Sequence, residues 1–151
     1  MLWEDYFQGM NTEQFFRGLD NQGKNLGARF NLQPLMSNSN LAMQAGEFAR
    51  DNGAHEPYHE AVFRSFFTDC QDIGNFQVIA EIILSLGLDL DELKKALDER
   101  IYIPRLEETK KRAAAKMVTA APTFVIEGGS QITGAQPLAT FRDALKKAVR
   151  N

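Results

Sequence analysis

The sequence predicts a mainly helical α/β fold, and three observations predict it. Apolar residues recur at helical spacing through most of the chain, as in Val62, Phe63, Phe66 and Phe67 or Ile79, Ile82, Ile83 and Leu86. The period changes to two only near the C-terminus, where residues 123–127 and 130–133 flank Gly128-Gly129, a two-residue hairpin turn. The composition, 44% hydrophobic and 25% charged over 151 residues, is that of one globular domain large enough to bury a single core.

Leu2, Trp3, Tyr6 and Phe7 make a short amphipathic turn at the start of the chain. Asn11-Thr12-Glu13-Gln14 is a capping signal ahead of Phe15, Phe16 and Leu19, and glycines 18, 23 and 27 with the polar run 20–25 break that helix. Residues 26–32 hold Phe30 and Leu32 in alternation and read as a weak strand closed by Pro34. Ser37-Asn38-Ser39-Asn40 caps a helix through Leu41, Ala45, Phe48 and Ala49, which Asn52-Gly53 stops. The next helix starts near Pro57, and another comes after the turn Asp72-Ile73-Gly74-Asn75 and ends at Gly87. Asp89 with Glu92 forms a capping box for Leu93 and Leu97. Pro104 suits the first turn of a further helix. That helix is acidic early (Glu107, Glu108) and basic late (Lys110, Lys111, Arg112, Lys116), as the helix dipole favours. After the hairpin, Gly134-Ala135-Gln136-Pro137 leads into a last helix with Leu138, Phe141, Leu145 and Val149 on one face. Eleven phenylalanines suggest an aromatic-rich core.

Charge and cysteine usage exclude several classes. A formal charge of −3 offers no footprint for nucleic acid or an anionic membrane. Apolar runs such as Ile82-Ile83-Leu84 are far too short to span a bilayer. Glu4 and Asp5 stand where a signal peptide carries positive charge, so a cytoplasmic location is expected. Cys70, the only cysteine, excludes an intrachain disulfide framework and any four-cysteine zinc site.

The stretch His55-Glu56-Pro57-Tyr58-His59 matches the letters of the zinc-protease signature H-E-x-x-H. That chemistry needs both histidines on one helical face, one turn apart, with the glutamate as base. Pro57 has no N–H and opposes the α conformation at Glu56, so the helix is expected to begin at Pro57 and leave His55 outside it. No other histidine supplies a third ligand. The expectation is no metal site.

The strongest signal lies near the C-terminus. Ala121-Pro122-Thr123-Phe124-Val125-Ile126, Gly128-Gly129 and Ile132-Thr133-Gly134-Ala135-Gln136-Pro137 together resemble the closing section of a DsbA-like thioredoxin-fold domain. More narrowly, they resemble the FrnE-type dithiol-disulfide isomerase branch. The likeness continues upstream in Asn38-Ser39 and Ala42, in the run 59–67, and in Asp72-Ile73-Gly74, covering nearly all of the chain from about Leu26. It implies a single domain over 1–151, with a helical insertion at about 37–117 and a thioredoxin-like remainder at 26–32 and 118–151. It also implies that Pro122 is a cis-proline and that Ala121 and Pro122 bind substrate, Ala121 offering backbone groups to an extended peptide or to glutathione.

One departure matters. The family's chemistry comes from a Cys-x-x-Cys at the start of the first helix, where the thiol pKa is depressed, and this sequence has none. The likeness begins near the fold's second strand, so the first strand and first helix are expected to lie outside these residues. No catalytic residue, metal ligand or resident cofactor is therefore assigned. Cys70 sits between Asp69 and, two residues on, Asp72, acids that oppose a thiolate.

The resemblance implies a thiol-disulfide oxidoreductase or isomerase whose redox segment lies elsewhere; the alternative is a non-catalytic module that binds peptide or glutathione. A third branch, with serine for the first cysteine, is disfavoured by the G-A-Q-P ending. The fold expected is thus a truncated thioredoxin-like one, its central strand missing. Either another segment or a partner chain, such as a second copy, fills the empty place by strand addition, or residues 26–32 leave the sheet and the helices repack around the hairpin.

Overall fold

A computed structural model describes residues 2–127 and 131–149. A four-residue helix α1 (Trp3–Tyr6) precedes α2 (Thr12–Gly23), whose start is fixed by Asn11 Oδ1 accepting the Gln14 N–H at 2.8 Å. Then come α3 (Asn40–Asp51), α4 (His55–Phe67), α5 (Phe76–Ser85), α6 (Leu90–Asp98) and α7 (Ile103–Ala115). Strands β1 (Thr123–Val125) and β2 (Gln131–Thr133) and helix α8 (Leu138–Ala148) complete the order. Asn75 caps α5 through the Gln77 N–H, and Asp89 caps α6 through the N–H groups of Asp91 and Glu92. The chain divides into two compact units, Met1–Leu106 and Glu107–Asn151.

The first unit is organised by small residues on α3. Ala42, Ala45 and Ala49 are buried, so α3 can approach its neighbours closely, and Ile79 and Ile83 of α5 and Leu93 of α6 fill the space with no exposure at all. Tyr58 closes this core from α4, its hydroxyl donating to the Ala42 carbonyl at 2.9 Å while burial pushes its pKa up. The aromatic-rich core is a misreading. Of the phenylalanines only Phe16 and Phe48 are among the buried hydrophobics, and Phe7, Phe15, Phe63, Phe76 and Phe124 are exposed. Several of these rings pack on aromatic neighbours instead, as Phe7 does on Trp3 with centroids 5.6 Å apart and Phe63 on Phe67 at 5.8 Å.

Residues 26–32 are not a strand. Lys24–Leu26 is a 3-10 turn, and beyond it irregular chain is stitched to the C-terminal end of α4. The Asn31 N–H donates to the Phe67 carbonyl at 2.8 Å, Thr68 Oγ1 donates to the Arg29 carbonyl at 2.8 Å, and the Phe30 N–H is taken by Asp20 at 3.1 Å. Side chains and a helix end thus supply partners that a neighbouring strand would have supplied. Residues 26–32 thus stand outside the described two-stranded sheet. The main core cluster of the first unit is drawn wholly from residues 42–102.

Helix α2 also runs past the polar residues expected to break it and ends at Gly23. A Cβ at Gly23 would stand 2.8 Å from both the Ala28 carbonyl oxygen and the Phe30 ring. Backbone cannot give way as a side chain can. Gly23→Ala is expected to destabilise the first unit by about 1–3 kcal/mol, read as a lower urea midpoint, although alanine favours helix. An unchanged midpoint would contradict this packing.

The second unit holds most of α7, the hairpin and α8. Strand β1 stops at Val125, short of the pattern that runs to residue 127, and the Gly128-Gly129 turn lies outside the described residues. They pair antiparallel with Thr123 opposite Thr133, Phe124 opposite Ile132 and Val125 opposite Gln131. Ile132 is buried, and Phe124 meets Phe141 of α8 edge to face at 4.9 Å. The described architecture is therefore mainly helical with one small sheet.

Candidate functional site

The segment between α7 and β1 carries the two residues singled out as substrate-binding. Met117 turns the chain out of α7 with φ of 55°, and the Ala121–Pro122 peptide bond is cis. The Pro122 carbonyl accepts the Gly134 N–H at 2.8 Å, extending the β1–β2 pairing by one rung. Thr123 Oγ1 donates to the Ala120 carbonyl at 2.5 Å, and Gln131 Nε2 donates to the Lys116 carbonyl at 2.5 Å. These bonds hold both ends of the loop. Between them Ala121 is exposed, and among the described residues neither its N–H nor its carbonyl has a hydrogen-bond partner. An exposed, fixed backbone donor and acceptor beside a strand can receive an extended chain.

The H-E-x-x-H stretch needs correction. Helix α4 begins at His55, not at Pro57. Pro57 falls in the first turn, where backbone N–H groups have no intrahelical acceptor, so its missing donor costs nothing there. His55 and His59 therefore do share a face, with ring centroids 6.0 Å apart. The same spacing of four continues, His59 lying 4.4 Å from Phe63 and Phe63 5.8 Å from Phe67. The stretch opens an aromatic ladder along α4. Among the described residues no group of three His, Cys, Asp or Glu side chains is placed to hold a metal ion.

Cys70 is half-buried, with φ of 55°, and its Sγ contacts the Leu32 carbonyl at 3.5 Å. Burial, and then the charge of Asp69, raise its thiol pKa above the ordinary value, which keeps it protonated near neutrality. Two pieces of the sequence likeness meet nearby, since a Cβ at Gly74 would stand 3.0 Å from the Asn38 carbonyl oxygen. Sequence reasoning missed two residues outright. Gln33 is fully buried and ties the 29–35 segment to α4, and Arg50 Nη2 lies 2.6 Å from His55 Nε2. A buried glutamine between Leu32 and Pro34 gives no periodic signal. The Arg50–His55 contact spans the Asn52-Gly53 helix stop, which hides it.

The chain is 31% identical over 112 residues to YwbO, an uncharacterized protein of Bacillus subtilis, the match covering 74% of this chain and 54% of that protein. A crystal structure of a probable DsbA oxidoreductase from Streptomyces coelicolor superposes with a TM-score of 0.81 at 25% identity, over 95% of this chain and 64% of that one. The chain thus spans less than two thirds of either relative's length. Among the described residues no helix is long and apolar enough to cross a membrane. The model of the DSBA-like thioredoxin domain matches residues 9–146, nearly the whole sequence, and the chain belongs to that family.

Proposed function

We propose that this chain is the substrate-cradling part of a FrnE-type thiol-disulfide oxidoreductase or isomerase, with its redox thiols supplied by a segment outside these 151 residues. The observation that carries the reading is the unpartnered backbone of Ala121 beside Pro122, in a chain of this family. An extended peptide, or glutathione, lies along that edge and takes the Ala121 N–H and carbonyl as one more rung. The Cys70 thiol does not serve, because its setting raises rather than lowers its pKa. The reading includes a cytoplasmic setting. It also includes a second copy or another chain that adds a strand beside β1, which among the described residues pairs with β2 alone.

Titration of the 15N-labelled chain with an extended cysteine-containing peptide, and separately with glutathione, is expected to shift the Ala121 and Thr123 amides saturably. Shifts confined to other regions, or none at millimolar ligand, would contradict the cradle. The same chain is expected to show no dithiol-dependent insulin reduction, since one cysteine cannot form the internal disulfide that the cycle requires. Robust turnover that survives Cys70→Ser would sink the proposed division of labour. An in-frame Cys-x-x-Cys segment encoded upstream favours the enzyme, and a genuine start site favours the non-catalytic binding module.

A further inference from the structure

Two exposed helix faces, one in each unit, carry matching patterns. On α4 the row His59, Phe63 and Phe67 runs at a spacing of four, and Phe63 is 51% exposed. The row borders a hollow of about 490 Å³ whose wall includes Met43, Val62, Phe63 and Phe66. Beside it on the same helix stand Glu56 and Glu60, four residues apart. Both are exposed, and neither forms an ion pair among the described residues. On α8, Leu138, Phe141 and Leu145 fall at i, i+3 and i+7, the spacing by which an amphipathic helix anchors in a hydrophobic groove. Leu138 is 63% and Leu145 53% exposed. Alongside them stand Arg142 and Lys146, again four apart, exposed and without an ion pair among the described residues.

Among its described residues the second unit has Ile132 as its only buried hydrophobic side chain. One buried side chain offsets little of the entropy lost in ordering a unit of this size, so the α8 row calls for a cover. Charge selects that cover. Residues 107–151 carry eight Lys and Arg against four Asp and Glu, whereas residues 1–106 carry nine against sixteen. Two second units therefore repel each other, and a second unit attracts a first unit. The spacing matches in detail. Four residues advance a helix by about 6 Å, so the two acids on α4 stand as far apart as the two bases on α8. Rows of residues four apart also interdigitate in the commonest packing of two helices. We propose that the chain self-associates, with α8 of one copy lying on α4 of another. Leu138 and Leu145 then sit over the hollow beside Phe63, and Arg142 and Lys146 face Glu56 and Glu60. The contact uses helix faces rather than the β1 edge or the Ala121 cradle, and it does not depend on the thiol-disulfide reading.

Sedimentation of the 151-residue chain over a concentration series tests the contact. The average mass is expected to rise above the 17.0 kDa of one chain with concentration, and to fall back as salt screens the exposed charges. Glu56→Lys with Glu60→Lys, and separately Arg142→Glu with Lys146→Glu, set like charges against each other. Each double variant is expected to weaken self-association at least about tenfold. Mixed in equal amounts, the two variants present opposite charges at every α4–α8 contact between them, and association is expected to return. All four positions are exposed, and circular dichroism checks that the variants fold. If either does not, the wild-type concentration and salt series decide alone. The proposal is overturned if the wild-type chain is monomeric up to millimolar concentration, which would leave both faces to a different partner. It is also overturned if association is indifferent to salt, if either folded double variant associates as the wild type does, or if mixing fails to restore association.

Discussion

Gln33→Leu is expected to lower the stability of the first unit by about 2–5 kcal/mol, because it removes three part-buried hydrogen bonds to the backbone at once. Gln33 has no exposure. Its Nε2 donates to the carbonyls of Phe66 at 3.0 Å and Gln71 at 3.3 Å, and its Oε1 accepts the Leu35 N–H at 3.0 Å. The Phe66 carbonyl belongs to the last turn of α4, where carbonyls have no intrahelical donor. Leucine fills much the same volume but satisfies none of these groups, and each buried orphan costs about 1–3 kcal/mol. Urea unfolding of the purified variant measures the loss. A change under about 0.5 kcal/mol, typical of an inert surface substitution, would show that water replaces the amide and that Gln33 does not pin the segment.

A loss of about 2–5 kcal/mol is also expected for Ile83→Ala, for a different reason. Ile83 lies on α5 with no exposure, in the cluster that joins α3, α4 and α6. Removing its outer carbons forfeits their burial and leaves a cavity that close-packed neighbours fill only in part. Since a domain of this size has about 5–15 kcal/mol in hand, the variant loses a large fraction of it. Two companions isolate the cause. Ile83→Val is expected to cost only about 0.5–1.5 kcal/mol. Leu84→Ala, next in sequence but 57% exposed, is expected to stay within about 0.5 kcal/mol. Equal losses at positions 83 and 84 would mean that helix formation, rather than burial, sets the effect.

Much of the helical half was legible because caps and apolar spacing act locally. Asn11, Asn75 and Asp89 each open a helix through their own side chains, and Ile79 and Ile83 fall on one face by spacing alone. The failures are non-local. The alternation of Phe30 and Leu32 is equally compatible with a strand and with a segment tied to a helix end by Thr68 and Gln33, and nothing within 26–32 distinguishes them. Pro57 misled because a rule for helix interiors was applied to a first turn, where no hydrogen bond is lost. The phenylalanine content said nothing of where the rings go, and a row such as His59, Phe63 and Phe67 can pack ring on ring while staying near solvent. At the site, Ala121 and Pro122 were singled out only through the family resemblance, since their spacing carries no chemistry of its own.

The distribution of chromophores between the two units gives the molecule an optical asymmetry. Trp3 and all three tyrosines, at positions 6, 58 and 102, fall before residue 107, whereas Glu107–Asn151 has only Phe124 and Phe141 as aromatic side chains. Indole and phenol emission therefore follows the first unit alone and is blind to the hairpin and α8. Backbone ellipticity sees both. A melt recorded in both channels gives coincident curves when the units unfold as one and separate curves when they do not, so their cooperativity can be read without any label or substitution.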